Sequence, residues 1–480
     1  MGAAVIACSV RYGLTPDLYS EQELRPTETS RGDSENKFSE SPLDKKLMFL
    51  EVPESIRRSG KMEKSLPFSY EQIQDWCSKY PTPFYVYDEA GIRETVSAVN
   101  NAFGWNPGFR EYFAVKATPT PAILRIMEQM NCGADCSSIP EILLAKGSGI
   151  SGQRIMFTSN ETSAAEYRTA REAGAIINLD DLTQIENLEN ACGIPETVCC
   201  RYNPGQFNYA TNAIMGHMYD TKFGMKKDQL FQALKTLKEK GAAHLGIHAM
   251  LTSCSLEQGY YPALARELFG LVLEIRETLG ITLSFVDMAG GIGIPYRPGE
   301  RAVDIKTAGE GVRLVYEEML RSNGIELPLY TEMGRFITGP HGYLLTTVVG
   351  KKHIWKEYVG VDASPADLMR PAMYGAYHHI TVSGKEDLPA AETVDVVGAL
   401  CENNDKFAVD RPLPHTEIGD VLVIHDAGAH GHAMGYNYNG RLRCAEYLMH
   451  ADRTLQLIRR AQNIQDYFAT LDIDKEFKFE

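Results

Sequence analysis

Apolar residues recur along this chain in two alternating rhythms. Short runs such as Glu111-Tyr112-Phe113-Ala114-Val115-Lys116 are apolar almost throughout, as strands covered on both faces are. Longer stretches carry apolar residues three to four positions apart, which makes one face of a helix. Ile123, Leu124, Met127 and Met130 form such a face, as do Leu230, Leu234 and Leu237. Leu264, Leu268, Leu271, Val272 and Ile275 predict a helix over about 262–279, stopped by Gly280. Predicted strands fall at 111–116, 133–138, 154–159, 175–180, 197–203, 244–251, 283–289 and 327–332. Other predicted helices end at Gly147, Gly174, Gly193, Gly241 and Gly324. Eight such units in succession favour a closed (β/α)8 TIM barrel over residues 96–340, rather than a doubly wound open sheet.

After about residue 341 the helical spacing fades. Runs such as Thr393-Val394-Asp395-Val396-Val397 and Asp420 to His425 alternate, with glycine and proline between them. They predict a second, all-β domain of sandwich or barrel type over 341–480, with partly helical character at 452–472. Residues 66–95 read as a lead-in whose strand near Phe84–Tyr87 joins that β domain. Residues 1–65 are polar and aperiodic, an extension of disordered character.

Composition narrows the function classes. The net charge of -15 excludes nucleic acid as the expected partner, because phosphate binding wants clustered Lys and Arg. No uninterrupted apolar run reaches the length of a membrane span, and Met1-Gly2 lacks the Ser or Thr of a myristoylation signal, with Ile6 in that place. The cysteines are scattered, which suits a reducing, cytoplasmic setting.

The chemistry gathers at the strand ends, where a barrel of this kind builds its active site. In order they present Lys116, Asp135 with Ser137 and Ser138, Ser159 with Asn160, Asp180 with Asp181, Arg201 with Asn203, His248 to Ser253, Gly290-Gly291-Ile292-Gly293, and Glu332 to Arg335. The glycines after strand seven and Arg335 after strand eight occupy the usual phosphate position. A lysine on strand one opposite such a pocket suits pyridoxal 5'-phosphate (PLP), which takes a lysine as Schiff-base partner. Glu332 is the candidate partner for the pyridine nitrogen. The plainer readings are a Lys116 head snorkelling to the rim and a Glu332–Arg335 salt bridge. Cys401-Glu402-Asn403-Asn404-Asp405 reads as a loop offering a thiol acid and a carboxylate, or as an Asn-rich turn. The run His425 to His432 includes a His-x-His pair that would suit a divalent ion on one strand face, but Cys132 with Cys136 lacks a second pair at zinc spacing and His378-His379 reads as a packed or exposed pair, so no metal is expected.

Taken together these motifs resemble the alanine-racemase-like (fold III) PLP decarboxylases, in particular diaminopimelate decarboxylases, over about residues 80–470. The resemblance is carried by Phe113 to Ala117, Arg201-Tyr202-Asn203-Pro204, Lys222-Phe223-Gly224, Ala289 to Gly293, Glu332 to Arg335, Arg370-Pro371-Ala372-Met373-Tyr374, Cys401 to Asp405 and Asn437-Tyr438-Asn439. It implies that Lys116 holds PLP and Glu332 pairs with its ring. Asp135, Arg201, Met250, Ser253, Gly290, Gly291, Gly334, Arg335 and Tyr438 would surround the cofactor. Arg335, Arg370, Tyr374, Glu402 and Tyr438 would hold an amino-acid substrate. Cys401 would return a proton after carbon dioxide leaves, and a thiol, mostly protonated at neutral pH, suits that task. The resemblance also implies a homodimer, with Cys401 and Glu402 reaching the neighbouring subunit's site.

The chain departs from the family pattern in places. Met250 stands where a ring-stacking histidine is usual, Ala289 where the phosphate loop has glycine, Met333 where proline is usual, and Asn403-Asn404 where Ser-Gly is usual. The expected reaction is decarboxylation of meso-2,6-diaminopimelate to L-lysine. The competing readings are a decarboxylase of ornithine, lysine or carboxynorspermidine, and a PLP-binding homologue without activity.

Overall fold

The structure is a computed structural model, and it describes residues 64–207 and 218–472. The expected extension over residues 1–65 lies outside the described residues apart from its last two positions. Among the described residues regular structure opens at Tyr70, where Ser69 and Gln72 cap the helix Tyr70–Lys79 reciprocally, each side chain meeting the other's backbone N–H. Strand β1, Phe84–Asp88, follows.

Eight parallel strands then close into a barrel. They are β2 (Arg110–Ala114), β3 (Gly133–Cys136), β4 (Ile155–Thr158), β5 (Ile176–Leu179), β6 (Thr197–Arg201), β7 (His244–His248), β8 (Phe285–Asp287) and β9 (Leu329–Thr331). Each overlaps one of the eight runs expected from sequence. Strand β9 pairs with β2 through Arg110 and Tyr330, which completes the ring. The barrel interior is filled by Tyr112, Met156, Ile176, Cys199 and Phe285, with Tyr330 against them. The helix expected over about 262–279 runs Tyr260–Leu279 and stops at Gly280 with φ 63°, a left-handed turn that glycine adopts without strain. One detail differs from expectation: β2 ends at Ala114, and Lys116 sits on the 3-10 turn Val115–Ala117. The strand pattern persists into the turn because Val115 and Ala117 are also buried.

The second sheet has the order β14-β13-β11-β10-β1-β16-β17, with β15 pairing β10 and β12. Its members after the barrel are β10 (Gly342–His353), β11 (Glu357–Val361), β12 (Ile380–Val382), β13 (Glu392–Val397), β14 (Lys406–Leu413), β15 (Val421–Ile424), β16 (Ala445–Met449) and β17 (Leu455–Arg459). Strand β1 lies in its middle, antiparallel to β10 and parallel to β16, so the lead-in strand does join the β domain. The expectation of helix across 452–472 is corrected in part. Leu455–Arg459 forms β17 beside β16, and only Ile464–Phe468 is helical, because backbone pairing with β16 overrides local spacing. The core of this sheet includes Phe84, Val86, Tyr343, Leu345, Val423 and Tyr447.

The loop after β15 meets the barrel mouth. His430 N–H donates to Ala117 O at 2.9 Å, and Thr118 Oγ1 to Gly428 O at 2.6 Å. Gly342 and Gly428 touch so closely that a Cβ on Gly342 would lie 2.1 Å from the Gly428 Cα. The second domain is thereby fastened beside Lys116.

Candidate active site

A cavity of about 360 Å³ opens at the C-terminal ends of the barrel strands. It is lined by Lys116, Asp135, Arg201, Met250, Ser253, Gly290, Gly291, Glu332, Gly334, Arg335, Arg370 and Tyr374. Lys116 Nζ lies 2.8 Å from Asp135 Oδ2. Burial works against the Lys116 ammonium, but the carboxylates of Asp135 and Glu332 outweigh it and raise its pKa. Burial and then Glu332 push the Asp135 carboxyl up to about 7. The lysine side chain keeps 53% of its surface open and lines the cavity.

Glu332 forms the floor. Its Oε2 accepts from His248 Nε2 at 3.1 Å. Burial opposes its charge, but His248 and then Lys116 and Arg201 lower its pKa. Asp287 stands close by, pushed well above the usual carboxylate range by burial and by Glu332. His248, Asp287 and Glu332 each place a ligand-type atom within 4.8 Å of the others. No N–H or hydroxyl donor among the described residues meets the buried Glu332 Oε1, and the neighbouring Asp287 carboxyl is the group that shares a hydrogen bond with Glu332. A buried carboxylate oxygen left in that state is costly unless a donor arrives, and a protonated ring nitrogen is such a donor. Behind it, Glu111 accepts from Thr331 Oγ1 at 2.5 Å and from Met333 N at 2.6 Å, which fixes the backbone carrying Glu332.

The glycine loop is built for close approach. A Cβ on Gly290 would come 2.6 Å from Glu332 O, and one on Gly291, at φ 103°, 2.7 Å from Tyr260 Oη. Ser255 N–H donates to Gly291 O at 2.9 Å, and Gly293 N–H to Ser255 O at 2.7 Å, so the loops after β7 and β8 are pinned together. Lysine, orphaned carboxylate and glycine cradle all fit PLP.

The arginines differ in their partners. Arg201 Nη1 pairs with Asp180 Oδ1 at 3.1 Å and stacks on Phe223 at 4.5 Å. Arg335 Nη1 donates to Tyr296 Oη at 2.6 Å, and Arg370 Nη1 to His378 Nε2 at 2.8 Å. Neither of the latter two meets a carboxylate among the described residues.

Three predicted residues do not line this cavity. Cys401 is exposed, Glu402 lines a separate cleft on the second domain with Asn403 and Asp405, and Tyr438 is 50% exposed. The structure instead joins their segments to one another, with Cys401 N–H donating to Asn439 Oδ1 at 2.6 Å. The histidine run is likewise dispersed. His425 bonds Thr381 Oγ1 at 3.1 Å, His432 bonds Cys444 O at 3.1 Å, and His430 turns to the cavity. Sequence reasoning did not single out Tyr296, His378 or His430 as site residues. His430 carries one available signal, a bulky residue inside a glycine-rich turn, where it adopts φ 55°.

The description "Pyridoxal-dependent decarboxylase, pyridoxal binding domain" fits residues 89–339 as a sequence family. The chain belongs to that family. The chemistry of the cavity and this membership agree: the protein is a PLP-dependent amino-acid carboxy-lyase. Among its relatives, Protein TabA of Pseudomonas amygdali pv. tabaci is 41% identical over 82% of this chain and 92% of its own length. The diaminopimelate decarboxylase of Methanothermobacter thermautotrophicus is 34% identical over 81% of this chain and 91% of its own. The crystal structure of the M. jannaschii diaminopimelate decarboxylase in co-complex with L-lysine superposes with a TM-score of 0.77 and 30% identity, covering 83% of this chain and 94% of that one. No helix among the described residues is long and apolar enough to cross a membrane.

Proposed function

We propose that this decarboxylase acts on meso-2,6-diaminopimelate and releases L-lysine and carbon dioxide. The observation that carries the reading is the pair Arg335 and Arg370. Both guanidiniums are buried at the cavity wall, and among the described residues their acceptors are the neutral Tyr296 hydroxyl and His378 imidazole. A substrate with a second carboxylate supplies the missing counter-charge through charge-assisted bonds. A plain diamine precursor would leave both arginines unmatched.

In this reading Lys116 would hold the cofactor, its amine lying at the cavity beside Asp135. Gly290, Gly291, Gly334 and Ser253 would hold its phosphate, and Met250, Arg201 and Asp135, which line the same cavity, would surround its ring. Bound PLP supplies an electron sink for the pair left when the carbon–carbon bond to the carboxylate breaks. Glu332 keeps the ring nitrogen protonated so that the sink stays deep. Arg335, Arg370 and Tyr374 hold the far end of the substrate and turn its scissile carboxylate away from cationic contacts. The proton that replaces carbon dioxide comes from the Cys401 thiol, which regains it from solvent.

Cys401 and Glu402 act in the site of a second subunit. Their exposure on one patch of the second domain, away from their own chain's cavity, supports a homodimer with shared sites. A cytoplasmic enzyme is the setting this reading assumes. The test is product identification by mass after incubating holoenzyme with meso-diaminopimelate. L-Lysine and stoichiometric carbon dioxide are expected. Faster turnover of ornithine, lysine or carboxynorspermidine would overturn the substrate assignment.

A further inference from the structure

Arg370, which lines the cavity, is only 3% exposed, and its partner His378 is fully buried. The two contacts of His378 leave no freedom in its protonation. A guanidinium can only donate, so His378 Nε2, at 2.8 Å from Arg370 Nη1, is the acceptor. A backbone carbonyl can only accept, so His378 Nδ1, at 2.8 Å from His425 O, carries the proton. The imidazole is therefore neutral, and a second proton would set one N–H against another. Burial and then Arg370 itself hold its pKa well below the ordinary histidine value. Tyr296 completes the support. Its hydroxyl accepts from Arg335, its ring lies 4.6 Å beneath the Arg370 guanidinium, and the His378 ring meets it edge-on at 5.1 Å.

We propose that His378 is a positioning residue that aims Arg370 at the substrate while leaving its charge unmatched, and so makes the site prefer ligands with a distal carboxylate. The inference rests on the substrate reading above and deepens it. The physical point is the difference between a neutral and an ionised acceptor. A carboxylate in the place of His378 would hold the guanidinium equally well, but it would also cancel its charge. The incoming carboxylate would then meet a finished ion pair. The same cavity contains that alternative: Arg201 is held by Asp180 at 3.1 Å, and its charge is already answered. Burying a guanidinium beside an imidazole is the more costly arrangement in the free enzyme. That cost is recovered when a ligand carboxylate arrives.

The experiment uses holoenzyme of the wild type, His378→Gln and His378→Glu. Glutamine places a neutral amide oxygen where Nε2 stands, and glutamate places a carboxylate there. The probes are pimelate, a dicarboxylate that cannot react, and cadaverine, which has no carboxylate, with binding measured calorimetrically. The glutamate variant should bind pimelate about tenfold or more weakly, with cadaverine unaffected or tighter, while the glutamine variant stays within about threefold of wild type. Equal pimelate affinity in wild type and the glutamate variant overturns the proposal. If the glutamate variant does not load cofactor, His378→Leu takes its place. Its KM for the carboxylate-bearing substrate should rise about tenfold with kcat little changed, and glutamine should restore it. A parallel fall of kcat and cofactor loading in the leucine variant, or an unchanged KM, overturns it instead. Failure of the wild type to accept diaminopimelate would count against the substrate reading alone, because the pimelate arms still report what His378 does.

Discussion

Glu332 and Lys116 show how much one atom can carry. The buried Glu332 Oε1 atom meets no N–H or hydroxyl donor among the described residues, and Lys116 is half open to the same cavity. Replacing Lys116 with alanine should abolish turnover and the visible absorbance of the imine-bound cofactor; a variant that keeps that absorbance would remove the lysine from its role. Glu332→Gln keeps the shape and removes the charge. A charge-assisted bond is worth about 1.5–3 kcal/mol, so kcat should fall about ten- to a hundredfold while cofactor still loads. Steady-state kinetics beside an absorbance spectrum separates the two effects. At this scale the sequence was informative wherever a residue stood at a strand end. It was silent where a residue acts on another: Tyr296 and His378 come from segments far apart in the chain, and nothing in their local sequence says that they share two arginines.

Whole elements decide how those atoms are held. The loop after β8 must lie against β9 and the loop after β7, and Gly291 has room for hydrogen alone. Gly291→Ala adds a Cβ at 2.7 Å from Tyr260 Oη in a backbone conformation that alanine resists. About 1–3 kcal/mol of strain follows, and PLP affinity measured by titration should fall about tenfold or more with the circular dichroism preserved. Strands β12 and β15 bury His425, whose pKa burial, His379 and Lys64 push down to about 3. The unfolded chain takes up that proton below about pH 6.5, whereas the folded chain does not until about pH 3. The stability His425 contributes is therefore complete above 6.5 and lost as pH falls from there toward 3, with a slope of about 1.4 kcal/mol per pH unit. In His425→Asn the acid-side slope of unfolding free energy should be shallower by that amount, as denaturant titrations between pH 4 and 6 would show. An unchanged slope would mean that His425 protonates in the native state. The barrel strands themselves were legible because parallel strands buried on both faces are apolar throughout. β17 was not, because its strand character comes from pairing with β16.

At the scale of the whole molecule, the proposed homodimer would complete what one chain leaves open. Cys401, Glu402 and Tyr438 lie on a patch that does not line their own chain's cavity. Mixing refolded Lys116→Ala and Cys401→Ala subunits should therefore restore activity, although each variant alone is inactive. Random pairing gives hybrids in half the dimers, each with one intact site, so about a quarter of wild-type activity is expected. No recovery would place the thiol acid in its own subunit or elsewhere.

The order of eight β/α units, the lysine that opens the barrel and the glycines that close it were determined by the sequence alone, because burial on both faces and a backbone that must pass close to a ligand leave direct marks on residue choice. Which carboxylate oxygen is left orphaned, which arginines keep their charge, and which predicted residues fall outside the cavity were decided only by tertiary structure. Those properties belong to pairs of residues, and pairing is created by the fold.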